Sequence, residues 1–250
     1  LLENGSVVTW GRHEDGGDSS SVASQLSGEI DVVDIIANEY SFAALREDGS
    51  VITWGSSLLD SNGNSIADKV DGTIDVVQIT GNTQSFAALR EDGSVVTWGY
   101  GNGSNSSSVA SELDGTIDVI EIFSMGSALN GSSNVYFGYA ALRDDGSVIT
   151  WNDDWDNWIA GNDVENDING NINVTDIISN YGAFAALRED GSVITWGDTQ
   201  RGGDSSNVFS KLNGEIDVID IASTVSAFAA LREDGSVVTW GNQEWGGDSS

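Results

Sequence analysis

Thr-Trp recurs at Trp10, Trp54, Trp98, Trp151, Trp196 and Trp240, at intervals of 44, 44, 53, 45 and 44 residues. The last twenty residues, LREDGSVVTWGNQEWGGDSS, nearly restate the first twenty, LLENGSVVTWGRHEDGGDSS. A fixed period of this length marks an array of small supersecondary units, none of which buries its apolar face alone. The unit reads GGDSSSVASQLSGEIDVVDIIANEYSFAALREDGSVITWG over residues 16–55. Further whole units span 56–99, 100–152, 153–197 and 198–241, with partial repeats at 1–15 and 242–250. The repeat therefore predicts one domain over 1–250 that is a window on a longer run, or alternatively a chain that closes a smaller ring by pairing its first hairpin with its last unit.

Within each unit, FAALREDGSVITWG is two apolar runs joined by Asp-Gly, a pair that favours a two-residue type I′ hairpin. The turn recurs at Asp48-Gly49, Asp92-Gly93, Asp145-Gly146, Asp190-Gly191 and Asp234-Gly235, with Asn4-Gly5 at the start. An aromatic residue, Phe42, Phe86, Tyr139, Phe184 or Phe228, stands twelve positions before each later tryptophan, which argues for one hairpin register throughout. These aromatics and the six Thr-Trp tryptophans, Trp10 included, are predicted core. Upstream, the β-branched IDVVDII at 30–36 reads as another strand. Before it, apolar pairs four apart (Val22/Leu26, Ile66/Val70, Val109/Leu113, Val164/Ile168, Val208/Leu212) predict a short helical turn, N-capped by serine in three units and ended by glycine. The fold class that follows is all-β: a β-propeller of tandem blades of about 44 residues, each three or four antiparallel strands plus a short helical turn.

The segment ALREDGSVVTWG, followed by a Gly-rich loop and VVDIIA, resembles the repeat of the regulator of chromosome condensation family, and more closely the bacterial β-lactamase-inhibitory propellers with three-stranded blades. The resemblance runs through all five periods. It implies a propeller whose members act mostly by binding proteins with one face, and it raises β-lactamase inhibition as an alternative function. Where the family carries Gly-Gln-Leu-Gly after Trp-Gly, this chain shows GGDSS.

Nine Lys+Arg against forty Asp+Glu give a net charge of −31, which repels phosphate backbones and anionic headgroups and excludes nucleic acid as a partner class. Such a charge suits a saline, extracellular or cell-surface setting, where screening is strong. Without cysteine the chain has no disulfide or Cys-ligated metal site. No apolar run is long enough to span a membrane. His13 is the only histidine, and no Ser-His scheme forms around it; no catalytic residues, no cofactor and no enzymatic activity are expected.

Two irregularities fall in one unit. SMGSALNGSSNVYFG lies between Phe123 and Tyr139, and NDDWDNWIAGND follows Trp151. An up-down-up blade sends both to the same rim, which would present Tyr136, Phe137, Asp153, Asp154, Trp155, Asp156 and Trp158 as a binding patch for a protein or glycan. Asp153, Asp156 and Asp163 also supply oxygen ligands of the kind Ca²⁺ takes, at spacings that match no calcium motif. Elsewhere the positions after each Trp-Gly differ most between units (Arg12-His13-Glu14, Leu58-Leu59, Tyr100, Gln200-Arg201, Glu244-Trp245), the mark of a rigid frame with divergent tips. The function expected is thus a non-enzymatic recognition module, Trp245 among its binding residues. The alternative is a structural repeat of a giant extracellular or filament-forming protein whose partners are neighbouring copies of itself.

Overall fold

The structure, a computed structural model, describes residues 1–56, 58–101, 103–126, 138–152 and 167–248. Its strands form five three-stranded sheets, each in simple meander order. They are β1 Val32–Ala37, β2 Ser41–Arg46 and β3 Val51–Gly55; β4 Val76–Gly81, β5 Ser85–Arg90 and β6 Val95–Gly99; β7 Val119–Met125, β8 Gly138–Arg143 and β9 Val148–Trp151; β10 Val174–Ser179, β11 Ala183–Arg188 and β12 Val193–Gly197; β13 Val218–Ser223, β14 Ala227–Arg232 and β15 Val237–Gly241. The chain divides into two compact units, one built on Leu1–Ile122, the other on Phe123–Thr150 and the C-terminal residues.

Four first strands carry a register shift, at Val32/Asp34 in β1 and at the matching place in β4, β10 and β13. The bulge turns Val32 inward and leaves Val33 exposed, which is how an uninterrupted apolar run sits in a sheet with two different faces. The hairpin differs from the type I′ expectation. Gly49 N–H donates to the Arg46 carbonyl at 3.0 Å and Arg46 N–H to the Ser50 carbonyl at 2.9 Å, so the loop has three residues, 47–49, and its third is a glycine at φ 72°. The same pair of bonds closes the turns at Gly93, Gly146, Gly191 and Gly235. A three-residue loop centred on Asp48 pairs Phe42 with Trp54, and their rings stack at 5.2 Å; a two-residue loop would have set Phe42 opposite Gly55.

Polar groups brace the turn. Arg46 Nε donates to Ser50 Oγ at 2.7 Å, Ser50 Oγ donates to Asp48 Oδ1 at 2.6 Å, and an Arg46 guanidinium nitrogen lies 3.3 Å from Asp48 Oδ2. Burial alone would push the Asp48 carboxyl up, but the Ser50 hydroxyl and N–H and the Arg46 charge outweigh it and hold the group below the ordinary aspartate range. Asp92, Asp145 and Asp190 are held down by the same balance.

Successive blades join at these turns. Val51 N–H at the start of β3 donates to the Val70 carbonyl in the following linker at 2.8 Å, and Val76 N–H at the start of β4 donates to the Gly49 carbonyl at 2.8 Å. The pattern repeats at Val95–Leu113, Val148–Ile168 and Val193–Leu212, and at Val119–Gly93, Val174–Gly146 and Val218–Gly191. Around one such joint Val51, Ile66, Val70, Val76, Ile79, Phe86, Val96 and Trp98 form a contiguous core, and Val193, Leu212, Val218, Ile221, Phe228, Val238 and Trp240 form another in the second unit.

The linkers hold 3-10 turns at Ser20–Val22, Ala67–Lys69, Ser107–Glu112 and Ser206–Lys211. Ser65 Oγ accepts the Ala67 N–H at 3.2 Å, but the other expected serine caps are absent: Ser19, Ser106 and Ser205 occupy the N-cap place without bonding the turn. Asp18, Asn105 and Asp204, one residue earlier, accept the N–H instead, at 2.8, 3.0 and 2.9 Å, because an Asx side chain reaches two residues on. The serine hydroxyls pair with Thr9, Thr97 and Thr195, the threonines of the Thr-Trp motif. Nor does glycine end these turns; their C-caps are Ala23, Val70, Leu113 and Leu212.

Trp54, Trp98, Trp151, Trp196, Trp240, Phe86, Tyr139, Phe184 and Phe228 are buried, and Phe42 is half-buried. Trp10 departs from the core expectation, with 83% of its surface exposed. Every buried Thr-Trp tryptophan lies in a third strand beside its aromatic partner on the second, and residues 1–10 form no strand.

Two outcomes follow for stability. A Cβ at Gly191 would lie 2.6 Å from the Asp217 Cα, whereas one at Gly235 meets nothing within 4 Å. Both sit at positive φ, so Gly235→Ala should cost about 1–2 kcal/mol for the left-handed backbone and Gly191→Ala about 1–3 kcal/mol more for the clash, read from denaturant midpoints. The depressed carboxyl of Asp190 stabilises the fold above the unfolded aspartate pKa near about 4, and that stability is lost as pH falls through the folded value. The gap in stability between wild type and Asp190→Asn should be full at neutral pH and close on acidification; a gap constant with pH refutes the role given to this turn.

Candidate recognition face

The loops that leave the third strands are built on a common base and differ above it. In 11–17, Gly17 N–H donates to the Arg12 carbonyl at 2.9 Å around a turn at His13–Asp15; in 197–203 and 241–247, Gly203 and Gly247 close onto Asp198 and Asn242 in the same way. Asp198 and Asn242 also accept from Gln200 N–H and Glu244 N–H, at 2.9 and 3.0 Å. The base is bolted to the next blade: Trp54 Nε1 donates to the Gly16 carbonyl and Trp240 Nε1 to the Gly202 carbonyl, both at 3.0 Å. Gly16 lies so close over Phe42 that a Cβ there would sit 2.7 Å from the ring, and Gly202 stands likewise over Phe228. GGDSS is therefore a roof on the next Phe-Trp stack, a role that the spacing of its first glycine from the following tryptophan, 38 residues in both cases, makes findable.

In the first unit two loops depart from this form, although the second still gives Trp151 Nε1 the Gly103 carbonyl at 3.1 Å. Asp60 organises residues 58–65: its Oδ1 accepts the N–H groups of Asn62 and Asn64 at 3.0 and 2.8 Å, and Lys69 Nζ lies 3.4 Å from its Oδ2. Hydrogen bonds from those N–H groups outweigh burial and hold the Asp60 carboxyl below the ordinary range; the first of them comes from Asn64. Gly99 N–H donates to the Leu59 carbonyl at 3.0 Å. Leu58 and Leu59 are thereby set beside Tyr100, where they line a cleft of about 510 Å³ with Ser61 and Asn105. Leu59 and Tyr100 are exposed.

Beneath these loops, bonds made elsewhere are missing. Asn180 Nδ2 donates to the Arg201 carbonyl at 2.8 Å in the second unit. Its counterparts Asn38 Nδ2 and Asn82 Nδ2, and Trp98 Nε1, find no hydrogen-bond partner within the protein, nor does Trp196 Nε1 in the second unit. The recurring Asn38, Asn82 and Asn180 were legible as a repeat; their use, accepting the N–H groups that shape the loop before each second strand, was not.

Of the residues singled out from sequence, Tyr136, Phe137, Asp153, Asp154, Trp155, Asp156, Trp158 and Asp163 lie outside the described residues. Trp245 is exposed on a turn at Gln243–Trp245, its carbonyl accepting from Thr224 Oγ1 at 2.9 Å. His13 Nε2 lies 3.1 Å from Asp18. Among the described residues, no cluster of three His, Cys, Asp or Glu is placed to hold a metal, and no helix is long and apolar enough to cross a membrane.

No protein-family model and no curated protein sequence matches the chain. Solved structures do. Prp20p of Saccharomyces cerevisiae, described with its binding properties to Gsp1p and histones, is 18% identical with a TM-score of 0.51, over 96% of this chain and 68% of that one. Yeast RCC1 (Prp20) bound to Kap60 gives 18%, 0.50, 96% and 67%, and the CRINKLY WD40 ectodomain of the Arabidopsis thaliana receptor kinase ACR4 gives 16%, 0.48, 85% and 65%. The chain spans about two thirds of the length of each. The two yeast structures establish an RCC1-like blade and with it the propeller fold class.

Replacing Gly202 by alanine should push on Phe228 and unseat the Trp240 bond, lowering stability by about 2–4 kcal/mol, whereas Gly63→Ala, where a Cβ meets nothing, should cost no more than the left-handed backbone; equal costs measured by denaturation would contradict the roofing role.

Proposed function

We propose that this chain is a non-enzymatic recognition module that binds a protein or glycan through the loops leaving its third strands, on a secreted or cell-surface protein in a saline setting. The observation that carries the reading is the cleft of Leu58, Leu59 and Tyr100: exposed apolar groups on a frame whose other joints are identical from blade to blade. The partners of Prp20p named with its structure, Gsp1p and histones, are proteins, which supports the protein arm of the reading by analogy of fold alone. The net charge of −31 favours a cationic surface on the partner. The rim at 136–163, with its calcium alternative, and Trp245 are further binding positions within this proposal, and inhibition of a β-lactamase is its nearest special case.

Leu59→Ala with Tyr100→Ala should abolish binding in a calorimetric screen of oligosaccharides, basic proteins and β-lactamases while leaving the thermal melting point unchanged. A probe that binds wild type and double variant equally places recognition elsewhere on the chain. A second reading, a repeat of a longer extracellular or filament-forming protein, is favoured by the joint hydrogen bonds that recur unchanged from blade to blade.

A further inference from the structure

A chain with a net charge of −31 invites a cationic partner, yet the cleft of Leu58, Leu59 and Tyr100 offers no place for a cation. Among the described residues the one carboxylate on its wall is Asp60, and both oxygens are engaged. Oδ1 accepts the N–H groups of Asn62 and Asn64, and Oδ2 takes Lys69 Nζ and Asn64 Nδ2, each at 3.4 Å. The acceptor positions of a carboxylate number about four, so Asp60 has none to spare.

What the wall leaves open is donors. Asn105 Oδ1 accepts Ser107 N–H at 3.0 Å and Ser61 Oγ at 3.3 Å, which assigns the oxygen and nitrogen ends of the amide. Among the described residues nothing accepts from Asn105 Nδ2, and the Tyr100 hydroxyl makes no hydrogen bond. Beside these donors the wall is apolar, with Leu59 47% and Tyr100 65% exposed. Both are fixed through the backbone: Gly99 N–H donates to the Leu59 carbonyl at 3.0 Å, and Tyr100 N–H to the Gln84 carbonyl at 2.9 Å. At about 510 Å³ the cleft has the size of a small-molecule site, with few polar groups on a largely apolar wall.

We infer that this cleft binds an uncharged acetamido sugar. The acetamido carbonyl accepts from Asn105 Nδ2, its methyl lies against Leu58 and Leu59, and the apolar face of the ring rests on Tyr100, whose hydroxyl stays at the wet edge. A plain hexose would set a hydroxyl against the leucines without a partner. An acidic sugar is repelled by the net charge, and a lysine or arginine side chain finds no free carboxylate. The inference rests on the recognition reading above and decides between its two ligand classes in favour of glycan.

The test is titration of the full chain with the trisaccharide of N-acetylglucosamine, and with cellotriose, which has the same rings and linkage but hydroxyls in place of acetamido groups. The acetylated trisaccharide should bind at least about tenfold more tightly and should move the Asn105 side-chain amide signals in nuclear magnetic resonance spectra. Asn105→Asp keeps the two bonds accepted from Ser107 and Ser61 and removes only the donor; it should weaken the acetylated sugar at least about tenfold, and on an uncharged ligand the added charge has no pull of its own. Equal binding of the two sugars, or equal binding of the acetylated sugar to wild type and Asn105→Asp, overturns the inference. If neither sugar binds, but a synthetic peptide of alternating lysine and leucine does and is lost in Leu59→Ala with Tyr100→Ala, the inference falls and the recognition reading survives with a protein ligand. If the peptide also binds the double variant unchanged, both fall. Should circular dichroism show Asn105→Asp unfolded, the comparison of the two sugars on wild type decides alone.

Discussion

The structure depends on a pair of backbone hydrogen bonds made at every joint between blades. The first residue of a third strand donates to a linker carbonyl, and the first residue of the next blade donates to the carbonyl of the hairpin glycine. A three-stranded sheet alone is a marginal object in water. Here both edges of the hairpin are used, one by the linker and one by the incoming strand, so no blade is stable by itself and each completes its predecessor. The bulge at the start of β1, β4, β10 and β13 belongs to this joint, because in β4 it lets Val76 bond Gly49 while the rest of the strand pairs with β5.

The meander of three strands, the aromatic stack and the identity of most of the core could be read from the period and from apolar spacing. The hairpin loop was legible too, although Asp-Gly points to a different turn. Twelve residues between Phe42 and Trp54 put the centre of symmetry on Asp48, and only an odd-numbered loop does that. The caps were less legible: serine and aspartate are adjacent in GGDSS, both are good cap residues, and only geometry shows that Asp18 caps while Ser19 serves Thr9. Trp10 could not be judged by its own motif, since burial of a tryptophan here is decided by an aromatic on another strand and a glycine on another loop.

The candidate recognition loops divide the same way. Their divergence after each Trp-Gly is plain in the sequence, but the shape of 58–65 is the work of one aspartate that accepts from two backbone N–H groups. The loop after Trp54 is no longer than its counterparts, yet without the paired glycines the roof over the next tryptophan is lost and Trp98 Nε1 goes unpaired, while Trp54, Trp151 and Trp240 keep their bonds. Divergence at the tip is thus tolerated at the base in one loop and not in the other.

Amide hydrogen exchange on a dilute, low-salt sample tests the joint most directly. The account predicts that the N–H groups of Val51, Val95 and Val193, which donate to linker carbonyls, exchange only through opening of the blades and are as well protected as the ladder amides inside the sheets. Fast exchange at these three while the ladder amides stay protected would contradict it, because the joint would then be open in an intact blade.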